Sequence, residues 1–282
     1  MTNVLREVRR GETLVVPREE TALPRGASTS LQPYVAHGDA LEWLEGRREK
    51  ADLAVIDPPY FGIVNAAWDR QWSSAADYRD WLVSVLAEVA DRLSDRGSVL
   101  MFGGLGRHGC HPLFEVLAAA ERFLTFRNWI TWQKRRAYGK QYDYLYCREE
   151  ILWLSKSPDR TACTFNVPLL NVRRGYQGWD NRYPAKSDFK RVSNVWHDIP
   201  ELMRPERTAQ KPVPLLDRII QTHSNEGDLV IDCFAGWGTT GVSALQRGRR
   251  FAGCDADEEA AAAASARCKA AAEGVAVAKE AR

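Results

Sequence analysis

The chain has 282 residues, of which 45% are hydrophobic, enough for one large α/β domain with an insertion or for two small domains. Its net charge is only +2, so any nucleic-acid surface must come from local clusters of basic residues. No apolar run approaches the length of a membrane span and the N-terminus lacks the apolar core of a signal peptide, so we expect no membrane association and a cytoplasmic location. The six cysteines show no paired metal-ligand spacing, and the crowded His108, Cys110 and His111 lack the second half of a zinc pattern, so no metal is expected.

The first part of the chain leads into a short strand and a helix. Residues 1–31 mix charged residues with Gly, Pro, Ser and Thr without a sustained period, and we interpret them as an N-terminal arm. A short strand is predicted at 34–36, followed by His37-Gly38-Asp39. A helix is predicted from Ala40 to about Gly46.

The next feature is the tetrapeptide Asp57-Pro58-Pro59-Tyr60, which follows an apolar run typical of a buried parallel strand. Pro58 cannot donate to a sheet ladder, so the strand ends there, at the edge where open α/β sheets bind ligands. The Asp57 carboxylate and the Pro58 carbonyl can accept hydrogen bonds, and Tyr60 offers a flat ring. This set suits a planar group with an exocyclic amine, such as a nucleobase edge. The alternative is a capping Asp, a rigid turn and a core Tyr.

The segments after the tetrapeptide are predicted to have mostly structural roles. Residues 61–72 are predicted to form a loop beside the site, with Trp68 and Trp72 as core anchors or base-stacking groups. Ser74 caps an amphipathic helix whose apolar stripe, Trp81 included, we assign to the core alone. A strand at 98–102, a helix near 112–122 and a strand near 126–132 follow.

Two later segments combine positive charge with irregular or aromatic sequence. Residues 134–148 hold five basic side chains, one acid and four interleaved tyrosines, and residues 160–207 hold nine basic and five acidic side chains without clear periodicity. Cations suit phosphates and rings suit bases, so both segments are candidates for nucleic-acid contact, with a solvated loop as the alternative. The candidate contacts are Lys134, Arg135, Arg136, Lys140, Arg173, Arg174, Lys190 and Arg191.

The C-terminal part of the sequence is predicted to form one βαβ unit. A helix is predicted to open at Lys211-Pro212, followed by a strand at 229–233, a glycine turn at 234–240 and a helix to about Arg247. A second strand at 250–254 ends in Asp255, and an Ala-rich helix spans about 257–272. This unit is typical of the nucleotide-binding half of an α/β domain, because its glycines admit a ligand to the backbone beside a helix N-terminus and an acid at a strand end. The alternative is that the two glycines serve packing.

The two half-sites together resemble the amino-methylating DNA methyltransferases of the permuted beta group, in which the catalytic motif comes first and the cofactor motif last. The resemblance covers roughly residues 34–270 and has departures: Cys233 and Trp237 stand where Pro and a small residue are common, Asp255 replaces Glu, and Arg207-Thr208 replaces His-Pro. The matching segments are His37-Gly38-Asp39-Ala40, Asp57-Pro58-Pro59-Tyr60, Arg148-Glu149-Glu150, Ser193-Asn194-Val195-Trp196, Ala209-Gln210-Lys211-Pro212 and the run Asp232 to Thr240.

The resemblance implies a Rossmann-like α/β methyltransferase fold, with a mostly parallel sheet, helices on both faces and an irregular target-recognition insertion. The implied divisions are an arm at 1–31, a catalytic half at 32–158, the insertion at 159–207 and a cofactor-binding half at 208–282. S-adenosylmethionine is the implied cofactor, and the implied catalytic residues are Asp57, Pro58, Pro59 and Tyr60. The implied cofactor-binding residues are Asp39, Ala40, Asp57, Lys211, Asp232, Phe234, Ala235, Gly236, Gly238, Thr239, Thr240 and Asp255.

The implied reaction is transfer of a methyl group to the N6 amine of adenine in double-stranded DNA after base flipping. Methylation of the N4 amine of cytosine uses the same chemistry, but Ser-Pro-Pro-Tyr is the commoner motif there, so Asp57 favours adenine. A catalytically silent DNA-binding protein is the alternative from another class, and the intact Asp57 and glycine turn argue against it. A cognate restriction endonuclease and a homodimer are further partners that the resemblance suggests.

Overall fold

The computed structural model describes residues 13–16, 35–62, 70–104, 112–139, 141–142, 144–173, 188–203 and 210–274. Within these residues the strands are β1 (Thr13–Val16), β2 (Val35–His37), β3 (Ala51–Ile56), β4 (Leu93–Gly103), β5 (Thr125–Tyr138), β6 (Tyr146–Ser155), β7 (Val167–Arg173), β8 (Phe189–Arg191), β9 (Val195–Trp196), β10 (Leu229–Asp232) and β11 (Arg250–Asp255). The helices are α1 (Ala40–Glu45), α2 (Ala75–Arg92), α3 (Pro112–Ala120), α4 (Val213–His223), α5 (Thr239–Gln246) and α6 (Glu258–Ala272). None of the described helices is long and apolar enough to cross a membrane.

An eight-stranded sheet forms the centre of the molecule, in the order β2-β11-β10-β3-β4-β6-β5-β9. The first five of these strands are parallel, so their carboxyl ends meet at one edge, which we call the carboxyl edge. β6 is antiparallel to both β4 and β5. β5 therefore runs in the same direction as β4, and the hairpin that joins β5 to β6 projects from the carboxyl edge.

Alternate side chains of β3 show why helices cover both faces of the sheet. Ala54 and Ile56 are buried in one core with α1, α2 and α3, and Leu53 and Val55 are buried in a second core with α4, α5 and α6. A parallel strand buried on both faces needs this uninterrupted apolar sequence. The predicted fold class, a mostly parallel sheet with helices on both faces, is confirmed.

The hairpin of β5 and β6 is longer than the sequence predicts. The strand predicted near 126–132 continues in β5 through the basic segment at 134–138, and Tyr138 still pairs with Tyr146. Glu201 stabilises this extension, because its two carboxylate oxygens accept hydrogen bonds from the backbone of Arg135 and Arg136, each at 2.8 Å. Tyr138 and Tyr146 therefore lie on paired strands, whereas Tyr142 and Tyr144 lie between the two strands.

A small second sheet includes four residues of the segment at 1–31 that we interpret as an N-terminal arm. β1 pairs antiparallel with β7, which also pairs with β8, so Thr13–Val16 belongs to the sheet of the insertion. Four hydrophobic or neutral residues without clear alternation gave too weak a signal for a strand. The segment predicted as an insertion also contacts α4, because Asn166 donates hydrogen bonds to the carbonyl oxygens of Gln221 and Ser224, and Trp196 is buried in the same core cluster as α4.

His223, the last residue of α4, gives the fold an acid-sensitive point. The ring is 2% exposed, lies edge-on to Trp153 and Phe165, and its Nδ1 has no hydrogen-bond partner among the described residues. Burial lowers the pKa of His223 from 6.5 to about 3.

We therefore expect the free energy of unfolding to fall as the pH drops below 6.5, because the unfolded chain then binds a proton that the folded chain excludes. The contribution of His223 is roughly 1.4 kcal/mol per pH unit at most. In urea titrations between pH 6.5 and 4, His223→Phe should show a shallower loss of stability than the wild type. The exposed His197, changed to Gln, is the control and should keep the wild-type slope. An unchanged slope in His223→Phe would contradict the assignment.

Candidate active site

A cavity of about 500 Å³ opens at the carboxyl edge, where β2, β3, β10 and β11 end. Asp39, Asp57, Asp232 and Asp255 lie at or just beyond the ends of these four strands and line the cavity. All residues of the predicted catalytic and cofactor-binding sets line it except Gly238. The parallel direction of the strands explains how residues far apart in sequence reach one site.

The glycine turn between β10 and α5 forms one wall of the cavity. The Gly236 amide donates to Asp255 Oδ2 at 2.7 Å, and the Phe234 amide donates to Asp232 Oδ1 at 3.0 Å. Gly236 has a φ of 49° and a Cβ built there would meet no atom within 4 Å, so the backbone faces open space. Gly238 has a φ of 72°, and a Cβ there would lie 2.9 Å from Ala264 Cβ. The absence of a side chain at Gly238 therefore allows the turn to pack closely against α6.

Asp232, buried at the end of β10, has an unusual ionisation. Burial raises the pKa of its carboxyl to about 7, although hydrogen bonds from Thr240 and the Phe234 amide act in the opposite direction. The neighbouring carboxylates Asp57 and Asp255 contribute to the increase. A cationic group in the cavity would favour the ionised form of Asp232.

The tetrapeptide after β3 forms the opposite wall, and both oxygens of Asp57 are engaged. The Tyr60 hydroxyl donates to Asp57 Oδ1 at 2.7 Å, and Lys211 Nζ donates to Oδ2 at 2.5 Å. Burial raises the pKa of Tyr60 well above its ordinary value, with further increases from Asp57 and Glu149, so the phenol stays a donor. The Tyr78 hydroxyl donates to the Pro59 carbonyl at 2.9 Å, which fixes the turn.

Lys211 is a buried ammonium between two carboxylates. Its side chain is 7% exposed, and Nζ lies 2.5 Å from Asp57 Oδ2 and 3.3 Å from Glu149 Oε2. Nζ also lies 4.9 Å from the ring centroid of Phe102 and 5.6 Å from that of Tyr60. Burial lowers the pKa of Lys211, but Asp57 and Glu149 outweigh it, and the net change is an increase. The resemblance placed Lys211 near this site but provided no role for Glu149.

Several aromatic side chains of the cavity were missed at the sequence level. Trp81 was assigned to the core alone, but it also lines the cavity and lies edge-on to Phe234, with ring centroids 5.7 Å apart. Trp72 contacts both Trp81 and Tyr78, as expected of a core anchor. Trp68 lies outside the described residues. A tryptophan at a helical core position gives no signal that one of its edges borders a cavity.

Comparison with known proteins shows the family. The family model of the N6 and N4 methyltransferases, described as DNA methylase, matches residues 51–266. The chain belongs to this family. It is 31% identical to the Type II methyltransferase M1.MboII of Moraxella bovis, over 78% of this chain and 89% of that protein. It is also 29% identical to the DNA adenine methyltransferase YhdJ of Escherichia coli, over 80% of this chain and 79% of that protein.

A solved structure supports the fold and the cofactor of the methylase. TTHA0409 from Thermus thermophilus, complexed with S-adenosyl-L-methionine, superposes with a TM-score of 0.59 at 25% identity and covers 86% of this chain and 95% of that one. The enzyme binds DNA as its substrate and uses S-adenosylmethionine as the methyl donor. The cavity suits this donor, because Asp57, Asp232 and Asp255 supply carboxylates for a cationic ligand and Gly236 leaves its backbone open.

The predicted DNA contacts of the methylase fall into three groups. Lys134 pairs with Glu149 and has a side chain only 26% exposed, so its ammonium already serves the site. Arg135 and Arg136 lie on the extended part of β5, and Arg173, Lys190 and Arg191 are exposed on β7 and β8. Lys140 and Arg174 lie outside the described residues, as do His108, Cys110 and His111. Of the predicted DNA-contacting cations that the structure describes, none lines the cavity.

Proposed function

We propose that this methylase transfers a methyl group to the exocyclic N6 amine of adenine in double-stranded DNA. The observation that carries the proposal is the Asp57 carboxylate at the end of β3, opening into the same cavity as the glycine turn. The intact Asp-Pro-Pro-Tyr motif and the likeness to a DNA adenine methyltransferase favour adenine over cytosine.

In this mechanism the chain supplies mainly positioning and electrostatics. The amine lone pair is delocalised into the base, and hydrogen bonds from the amine to Asp57 and to the Pro58 carbonyl favour a more tetrahedral nitrogen. When bound, S-adenosylmethionine would supply the methyl group from its sulfonium and leave as a neutral thioether, and the methylated nitrogen would lose one proton to solvent. Tyr60 stacks on the flipped base, and no covalent intermediate is required.

The cofactor-binding roles follow from the polar groups around the glycine turn. Asp255 accepts from the Gly236 and Asp257 amides, one on each oxygen, and each oxygen has a further lone pair for a ribose hydroxyl. Asp39 uses Oδ1 to cap α1, with Leu41 N at 2.8 Å, so we assign Oδ2 to the cofactor's adenine. Phe234, Gly236 and Thr239 border the methionine and adenosine moieties.

The product of the reaction tests the proposed base. The purified enzyme methylates DNA, which is then digested to nucleosides and analysed by mass spectrometry. We expect N6-methyl-2′-deoxyadenosine among the nucleosides. N4-methylcytosine in its place would transfer the reaction to cytosine. The absence of both under conditions where the cofactor binds would support a silent DNA-binding protein.

The DNA surface that we propose combines the β5–β6 hairpin with the insertion at 159–207. Tyr138 is 61% exposed, Tyr142 and Tyr144 are each 92% exposed, and the hairpin projects from the carboxyl edge, beside the cavity. Exposed rings and cations at the edge that holds Asp57 suit a substrate whose target base must enter the cavity. The likeness to Type II methyltransferases supports a cognate restriction endonuclease, whereas the homodimer and the cytoplasmic location stay predictions.

The double variant Lys190→Ala with Arg191→Ala should weaken DNA binding and leave cofactor binding unchanged. Two lost phosphate contacts would reduce the slope of log affinity against log salt by about 1.8. Fluorescence anisotropy on cognate and scrambled duplexes at several salt concentrations measures both quantities. Arg48→Ala with Lys269→Ala removes the same charge from exposed positions before β3 and at the end of α6, away from the carboxyl edge. An equal loss in both double variants would show a nonspecific charge effect instead.

A further inference from the structure

Glu149 is a buried carboxylate whose two oxygens have unequal surroundings. Oε1 accepts a hydrogen bond from Lys134. Oε2 is buried and receives no hydrogen bond from any residue that the structure describes, although Lys211 Nζ lies at an ion-pair distance of 3.3 Å. Oε2 is therefore held only by this ion pair, at a longer distance than the 2.5 Å hydrogen bond that Lys211 gives to Asp57.

Asp57 has the opposite condition, because each of its oxygens already accepts a hydrogen bond and one of them is in a short ion pair with an ammonium. Tyr60 donates to Oδ1, and Lys211 donates to Oδ2 at 2.5 Å. A carboxylate in a short ion pair is a weaker acceptor for a neutral amine than a carboxylate without one. The binding of a target amine to Asp57, which the proposed function requires, therefore competes with Lys211.

We propose that Glu149 is a positioning residue that receives the Lys211 ammonium when the target amine binds Asp57. Lys134 holds Oε1 so that Oε2 faces Lys211, and the transfer needs only a short shift of Nζ within the same buried site. This inference rests on the proposed role of Asp57 as acceptor for the target amine.

The charges of the cluster support this exchange. Lys211 would be a buried, uncompensated cation if it left Asp57 without a second carboxylate nearby. Burial raises the pKa of Glu149, but Lys211 and Lys134 outweigh burial, so the net pKa is lowered and the carboxylate stays ionised. Phe102 and Tyr60 face Nζ with their rings, so the ammonium remains in favourable surroundings in either position.

Glu149→Gln tests the proposal, because it keeps the size of the side chain and removes its charge. With saturating cofactor we expect kcat to fall at least about tenfold, with little change in KM for DNA or in cofactor affinity, because the 3.3 Å ion pair becomes a direct hydrogen bond between Lys211 and Glu149 only after the base has bound. Glu150→Gln is the matched control. Glu150 is the adjacent glutamate, 1% exposed, and it accepts from Trp129 and Thr131 rather than from Lys211. Its variant should retain kcat within about twofold.

A double-mutant cycle with Lys211→Met separates this role from a purely structural one. If Glu149 acts by receiving Lys211, Glu149→Gln should have almost no further effect on kcat in the Lys211→Met background. An equal fold-loss in both backgrounds, or an unchanged kcat in the single variant, would overturn the proposal.

If Lys211→Met has no measurable turnover, the kcat of Glu149→Asp tests the proposed role of Glu149 instead. Recovery of kcat by this shorter carboxylate supports the role, and a loss equal to that of Glu149→Gln overturns it. Wild-type enzyme that makes no N6-methyladenine would instead reject the proposed function itself.

Discussion

Replacement of Asp57 by alanine should lower kcat about a thousandfold while the protein stays folded and still binds S-adenosylmethionine. The variant removes the carboxylate that we assign as acceptor for the target amine, and loss of a single such electrostatic contact costs up to about three orders of magnitude. The measurement is transfer of a tritiated methyl group to DNA under single-turnover conditions.

The surroundings of Lys211 predict that Asp57→Ala still folds. Once Asp57 is gone, the buried ammonium still has Glu149 at 3.3 Å as its counter-ion, so the core should tolerate the change. Circular dichroism and a cofactor titration by calorimetry verify this for the purified variant. Near wild-type turnover of the folded, cofactor-bound variant would reject the catalytic assignment of Asp57.

Replacement of Gly236 by valine should weaken S-adenosylmethionine binding at least about a hundredfold, or about 2.7 kcal/mol. A side chain at this position would meet no protein atom within 4 Å, because it would extend into the space of the cavity. Loss of cofactor affinity would therefore come from occupied ligand space rather than from a clash inside the fold. Isothermal titration calorimetry measures the change in Kd directly.

Gly227 provides the matched control for this variant. It has a φ of 85°, a Cβ there would also meet no atom within 4 Å, and it lies before β10, away from the carboxyl edge. Gly227→Val thus carries a comparable backbone strain without entering the cavity, and its cofactor affinity should equal that of the wild type. If both variants lose affinity equally, strain rather than cavity space would explain the result at Gly236.

The position of the candidate site could be predicted because it depends on local sequence and on one geometric rule. Apolar runs mark β3 and β10, and Asp57 and Asp232 terminate them. Parallel strands bring such ends to one edge, so the motifs define the cavity without knowledge of the packing. The glycine turn is equally local, since Gly236 and Asp232 belong to one short segment.

The contacts that organise the charges in the site could not be predicted in this way. Lys211 meets Asp57 across 154 positions of sequence, and Glu149 joins them from a strand of the antiparallel hairpin. Lys134 was interpreted as part of a DNA-facing cluster, because composition does not show that its partner is the buried Glu149. Likewise, Thr13–Val16 becomes a strand only through its pairing with β7, which no local pattern indicates.

The order of strands in the sheet also determines when the domain can form during synthesis. Among the described strands, β10 lies between β3 and β11, and β2 pairs with β11 alone. Strands that are synthesised early therefore gain these partners only after residues 229–255 have been made. Pairings this distant in sequence are slow to close, and the ribosome must release nearly the whole chain before the central sheet is complete. Until then the apolar strand β3 lacks one of its neighbours, and its unpaired edge is a point at which nascent chains can aggregate.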